Sequence, residues 1–234
     1  MTAPYLLSNE DPALFPGVEL ALTEPNGLLA VGGDLSSERL LNAYQRGIFP
    51  WYSDDQPIMW WSPNPRAIFE INDFKISRSL KKTLNKKLFN ITFDSAFEDV
   101  IKQCATTRKD GFGTWITQDM IDAYILLHNN GYAHSVECWY NQELVGGLYG
   151  LSIGRAFFGE SMFTRKTDAS KVALASLVAQ LKLWQFDFID AQVSSEHILS
   201  LGAIELPRSQ FIAKLQLTLK NTSRVGKWQF NLNG

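Results

Sequence analysis

From residue 133 onward the sequence takes up the two-residue period of a strand three times over. The segments are Ala133 to Trp139, Leu144 to Ile153 and Arg155 to Ser161, with turns at Tyr140-Asn141-Gln142-Glu143 and at Gly154. Such a run folds as an antiparallel meander. Behind it, from Thr167 or Asp168 to about Trp184, Val172, Leu174, Leu177, Val178, Leu181 and Leu183 are spread around a helix that has to be mostly buried. Phe186 to Asp190 reads as an apolar strand. Ser194 or Ser195 then caps a short helix to Leu201, Gly202 stops it, and a last helix follows Pro207 to about Lys220. Meander, helix, strand and helix make an α/β arrangement, with Asp190 at the C-terminal end of the strand after the long helix, a common place for chemistry.

Four polar residues interrupt this core pattern. Glu160 and Ser161 stand within Phe157-Phe-Gly-Glu-Ser-Met-Phe163, and Asp190 and Gln192 within Ile189-Asp-Ala-Gln192. Such groups cost free energy to bury unless they are hydrogen-bonded or are put to use. Gly146, Gly147, Gly150 and Gly159 fall inside the strands, where glycine weakens a sheet but admits a ligand or a second backbone.

The first half is less regular. Residues 1 to 20 carry three prolines and read as a wrapping segment. Glu24-Pro-Asn-Gly27 signals a turn before a short strand, Leu28 to Val31, that bends at Gly32-Gly33. Asp34 or Ser36 caps a helix with Leu40, Leu41 and Tyr44 on one face, stopped near Gly47. Trp51, Trp60 and Trp61 then share about 16 residues with four prolines, which reads as a stiff aromatic loop system and not as a helix or a central strand. Trp60 and Trp61 suit glue between a small N-terminal domain and a larger one. Trp51, just after Pro50, suits a cleft rim where an indole can stack on a nucleobase. Trp115, after the glycine-rich Asp110–Gly113 stretch, suits either a second rim position or the core. Ser95-x-x-Glu98 is a capping box, and Thr117 can cap a helix that ends at Gly131. The Ser62-Pro-Asn-Pro-Arg66 run divides the chain into residues 1–65 and 66–234.

Between Ile76 and Leu88, Leu80, Leu84 and Leu88 recur every fourth residue while Arg78, Lys81, Lys82, Lys86 and Lys87 fill the other faces without one acid. This is a basic amphipathic helix starting near Ser77. The formal net charge of the whole chain is -2, so RNA contact needs a local patch, and this one favours phosphate.

Serine, cysteine or metal catalysis lacks its parts. The three histidines are His128, His134 and His197, of which only His197 stands close in sequence to the Asp190 strand. There is no Walker loop, dinucleotide fingerprint or HExxH. Cys104 and Cys138 have no partners at metal-ligand spacing and read as buried thiols. No metal and no cofactor are expected. Without a leader-like N-terminus or a long apolar run, a cytoplasmic protein with no membrane contact is the expectation. What remains is a group of carboxylates and amides, Glu160, Asp190 and Gln192, walled by Phe157, Met162, Leu174, Leu177, Leu181 and Ile189. It suits direct attack by an amine on an already activated carbonyl.

The strings EPNGLLAVGGDLS (24 to 36), AYQRGIFPWYS (43 to 53), WWSPNPRA (60 to 67), GTWIT (113 to 117), AHSVECW (133 to 139), ELVGGLYG (143 to 150), FFGESMF (157 to 163), IDAQV (189 to 193) and SLGAIELPR (200 to 208) resemble the bacterial leucyl/phenylalanyl-tRNA protein transferase family, in order and spacing. The resemblance implies transfer of Leu, Phe or Met from aminoacyl-tRNA to the α-amine of proteins that begin with Arg or Lys, marking them for degradation by the N-end rule. It implies an α+β fold, with a small N-terminal domain on a GNAT-like acyltransferase domain whose mixed sheet is mainly antiparallel, acting as a monomer. By the same resemblance Asp190 and Gln192 are the catalytic pair, Asp190 orienting and polarising the Gln192 that holds the amine, and Glu160 is the pocket glutamate. Trp51 and Trp115 flank the terminal adenosine. Leu148, Phe157, Gly159, Ser161, Met162, Leu174, Leu177, Leu181 and Ile189 line the substrate pocket, and Arg78, Lys81, Lys82 and Lys86 face the tRNA. A CoA-dependent acyltransferase is disfavoured because Phe163 to Lys171 holds no glycine for a phosphate-cradling turn. A noncatalytic RNA-binding module leaves Glu160 and Asp190 without a use.

Overall fold

The computed structural model describes residues 3–106 and 116–230. Among them the strands form two sheets, one of four strands and one of seven.

The smaller sheet has the order β1-β2-β4-β3, with β1 at Tyr5–Leu7, β2 at Leu28–Gly32, β3 at Phe49–Pro50 and β4 at Met59–Trp61. The expectation of a loop system without a central strand is corrected here, because β4 lies between β2 and β3. The prolines do not prevent it: Pro57 and Pro63 flank β4, and Pro50 sits in the edge strand β3, where no donor is missed. Helix α1, Ser37–Gln45, begins where Ser36 Oγ accepts from the Arg39 backbone N–H.

The larger sheet opens with β5, Arg66–Glu70, and then takes in β6 (Asn90–Phe93), β7 (Ala133–Tyr140), β8 (Glu143–Ile153), β9 (Ala156–Thr164), β10 (Phe188–Gln192) and β11 (Ile204–Leu206). Its order is β11-β5-β10-β9-β8-β7-β6, and only β9 and β10 run parallel. The expected meander is β7-β8-β9, turning at Asn141 and Gln142, which both have positive φ. The mixed, mainly antiparallel sheet agrees with the expected α/β class. Strands β5, β6 and β11 are too short to have given a period-two signal.

Two apolar layers cover this sheet. Helix α2 is Arg78–Asn85, capped by Ser77 as expected, and packs on α5, Ala169–Leu183. On that face Phe157, Leu174, Leu177, Leu181 and Ile189 share one core. The opposite face meets α3 (Phe97–Thr106), α4 (Gln118–Asn129) and α7 (Arg208–Thr218), while α6 is the short Glu196–Ser200. The core there joins Tyr124, Phe158, Phe188 and Phe211 to Leu29, Tyr44 and Trp60 of the first sixty or so residues. The capping box at α3 does not form. The Ser95 backbone N–H goes to the buried Glu137 and its hydroxyl to the Phe93 carbonyl, so the helix starts one residue later.

Two irregularities prepare the site. Tyr149 pairs with Ser161 and Gly150 with Gly159, so Glu160 is the extra residue of a bulge in β9. Gly150 is required there, since a Cβ at this position would lie 2.1 Å from the Phe158 carbonyl oxygen. In β10 the register shifts between Asp190 and Gln192. The parallel pairing of β9 and β10 stops at Phe158 and Asp190, and the residues beyond it line a cavity.

Candidate active site

The cavity holds about 670 Å³, within the range of small-ligand pockets. Leu148, Phe157, Met162, Leu174, Leu177 and Ile189 form its apolar wall. Gly159, Glu160, Ser161 and Gln192 contribute the polar groups where β9 and β10 part, Trp51 forms a rim, and His197 also lies on the lining. A Cβ on Gly159 would meet only ordinary contacts, at 3.6 Å and 3.7 Å, so neither packing nor φ demands glycine there. Its missing side chain is space in the cavity. Gly146, Gly147 and Gly150, in contrast, are closed in by protein atoms.

Glu160 is buried and well supplied with donors. The Tyr44 hydroxyl donates to its Oε1 at 2.7 Å, Gln192 Nε2 to the same oxygen at 2.9 Å, and the Tyr124 hydroxyl to Oε2 at 3.0 Å. The two tyrosine hydroxyls also touch each other. Burial pushes the carboxyl up to about 7, against these three hydrogen bonds, which favour its charged form. Burial, and then the charge of Glu160, raises both phenols well above their ordinary value. An ionised carboxylate has about four acceptor positions. Three are filled by protein donors, two on Oε1 and one on Oε2.

Asp190 is in a different situation. It is fully buried, off the cavity surface, and its oxygens receive Arg66 Nε at 2.8 Å and Arg66 Nη2 at 2.7 Å. Oδ1 also accepts the Gln192 backbone N–H at 2.9 Å. The expected influence of Asp190 on Gln192 therefore runs through the backbone, while the Gln192 side-chain amide is held by Glu160. No position on Asp190 opens to a ligand. Leu181 is likewise off the cavity, fully buried in the core that also contains Leu177.

Trp51 is 40% exposed, and Trp61 Nε1 donates to its carbonyl at 2.7 Å with the two indoles 5.7 Å apart. Trp60 is wholly buried. Trp115 lies outside the described residues. Arg78, Lys81, Lys82 and Lys86 are exposed, while Leu80 of the same helix is buried. Thr83 Oγ1 donates to Asp168 Oδ2 at 2.9 Å, and Asp168 lines the cavity with Ser170 and Lys171. The basic helix is thus tied to a residue of the cavity lining.

Cys104 and Cys138 are free and buried, and burial pushes each thiol up to about 12. Among the described residues no three His, Cys, Asp or Glu side chains gather as a metal cluster, and no helix is long and apolar enough to cross a membrane. Reading the sequence alone misses Arg66, Tyr44 and Tyr124. One signal was present: Tyr44 sits on the apolar face of α1, and a phenol buried there needs a polar partner.

Family models for leucyl/phenylalanyl-tRNA protein transferase match residues 68–216, and for its N-terminal domain residues 33–64. The chain is 54% identical over 217 residues to the leucyl/phenylalanyl-tRNA–protein transferase of Nitrosomonas europaea, covering 93% of this chain and 92% of that one. It is 55% identical over 229 residues to the protein of the same name from Thermodesulfovibrio yellowstonii, covering 97% and 91%. Among solved structures, a GNAT-family acetyltransferase of Staphylococcus aureus overlaps 43% of this chain and 70% of its own length at 21% identity, with a TM-score of 0.36. L-PGS from Bacillus licheniformis overlaps 71% and 53% at 11% identity, with a TM-score of 0.40.

Proposed function

The chain belongs to the leucyl/phenylalanyl-tRNA protein transferase family, a family of aminoacyltransferases, and on that premise we propose that it moves Leu, Phe or Met from aminoacyl-tRNA to the α-amine of proteins beginning with Arg or Lys. One observation carries this reading. Glu160 and Gln192 meet at the polar end of an apolar cavity large enough for such a side chain.

The donor's amino-acid side chain lies against Leu148, Met162, Leu174 and Leu177, with its ester carbonyl toward the β9–β10 opening. Trp51 stacks on the terminal adenosine. The acceptor amine gives one N–H to the amide oxygen of Gln192, whose Nε2 is already committed to Glu160, and another to the Glu160 carboxylate. Attack forms the C–N bond and breaks the ester C–O bond. The proton leaves the amine for Glu160 and is returned to the ribose oxygen as it departs. A carboxyl near 7 is matched to taking and returning a proton at neutral pH. Asp190, held by Arg66, does not take part in that transfer.

Arg78, Lys81, Lys82 and Lys86 contact the tRNA backbone, residues 1–65 and 66–234 act as a small domain and a catalytic one, and the site of action is cytoplasmic, in the N-end rule pathway. The test is incubation with labelled Phe-tRNA and a peptide beginning with Arg, followed by mass spectrometry. A peptide extended by one Phe is the expected product. An unmodified peptide, with the Phe-tRNA intact, refutes the reading.

A further inference from the structure

Arg66 is a buried cation that none of the steps above uses. Besides its two bonds to Asp190, its Nη1 donates to the Gly47 carbonyl at 3.0 Å. The rings of Phe49 and Phe211 lie 4.8 Å and 4.6 Å from its guanidinium carbon. A guanidinium fixed along its edges and covered by two rings has one orientation, and an ammonium cannot reproduce it.

What this orientation controls lies on the far side of Asp190. Gln192 has φ +63, and the Val193 N–H donates to the Ala191 carbonyl at 2.8 Å across it, which makes Gln192 the centre of a three-residue turn. With φ positive, such turns are rare and strained, and they persist only where the surroundings enforce them. Here the enforcing contact is the Asp190 Oδ1 that holds the Gln192 N–H. The Asp190 carboxylate has no exposure, and the equally buried Arg66 guanidinium is the cation paired with it, at 2.7 Å.

We propose that Arg66 is a positioning residue for the transfer reaction. Anchored at Gly47, it fixes the Asp190 carboxylate and, through it, the strained turn that aims Gln192 at Glu160 and the acceptor amine. This rests on the function proposed above. A buried ion pair adds little stability over an apolar pair of equal volume, so orientation is what this pair contributes.

The wild-type enzyme is assayed first with Phe-tRNA and the Arg-peptide; absence of product there strikes the proposed function and not Arg66. Given wild-type transfer, Arg66→Lys and the double variant Arg66→Met with Asp190→Leu are compared by thermal melting and by kcat and KM per folded molecule. Both are expected to lose about 100-fold in kcat, the scale for misplacing a reacting group by an ångström, with the KM for Phe-tRNA little changed. The double variant is expected to melt close to wild type, which separates lost rate from lost fold. A double variant that folds and keeps wild-type kcat overturns the inference, as does an Arg66→Lys enzyme with kcat near wild type. Failure of both to fold makes Arg66 a folding residue and overturns it too.

Discussion

Gln192 Nε2 stands 2.9 Å from Oε1 of Glu160, although the two residues come from different strands and each strand is irregular at that point. The contact joins the bulge in β9 to the turn after Asp190. It places an amide oxygen and a carboxylate together at the cavity's polar end.

Replacing Glu160 by Gln keeps the shape and removes the proton acceptor. A loss in kcat of about 100-fold or more is expected, the usual span for a general base. Log kcat of the wild type, with acceptor saturating, should rise with pH through about 7 with one more ionisation than the variant shows. Identical pH profiles for the two enzymes would remove Glu160 from the proton transfer.

The same carboxyl links stability to pH. Its folded value is raised from 4.5 to about 7, so the protonated form is favoured by folding. The stabilisation is complete below the unfolded value and is lost as pH rises through the folded one. Urea unfolding at pH 5 and pH 8 should show wild type losing roughly 2 kcal/mol or slightly more relative to Glu160→Gln across that interval. A constant difference between the two proteins would count against the raised value.

Gly159→Ala should fold with an almost unchanged urea midpoint, because the new methyl meets only contacts at 3.6 Å and 3.7 Å. The methyl enters the cavity, and kcat/KM for Phe-tRNA should fall by about 10-fold or more. Wild-type kinetics in a folded variant would show that no substrate atom approaches Gly159.

Reversing the charge of Lys81 and Lys82 to Glu should weaken use of Phe-tRNA and flatten its salt dependence, by roughly one in the log–log slope for each phosphate no longer neutralised. Phenylalanyl-adenosine, which has no tRNA body, should react as before. Equal losses with both donors would make the helix structural.

The apolar wall should favour Leu and Phe over Ile, whose β-branch fits poorly. A difference of about 1 to 3 kcal/mol in kcat/KM is the scale available to such a pocket. Leu-tRNA and Ile-tRNA competing in one reaction measure it, and equal use would overturn the pocket assignment.

Periodicity made much of the fold legible. Period two marked β7 to β9, an apolar surface on every side marked α5, and Ser36, Ser77 and Thr117 marked the helix starts. Glu160 and Gln192 were legible as polar residues where a core was due. The same logic overreached at β4, where the count of nearby prolines hid a short strand between them, and at Ser95, whose capping groups were taken by Glu137 and Phe93.

The sequence by itself determined the meander, the buried helix, the apolar wall and the polar residues set into it, because these depend on neighbours within a few positions along the chain. Only the tertiary structure decided the working arrangement. It brought Tyr44 to Glu160 across 116 residues and Arg66 to Asp190 across 124, put Asp190 behind the site and left Glu160 and Gln192 on its surface. The physical reason is that a buried polar group takes whichever partner folding brings within hydrogen-bond reach, and separation along the chain does not encode that partner.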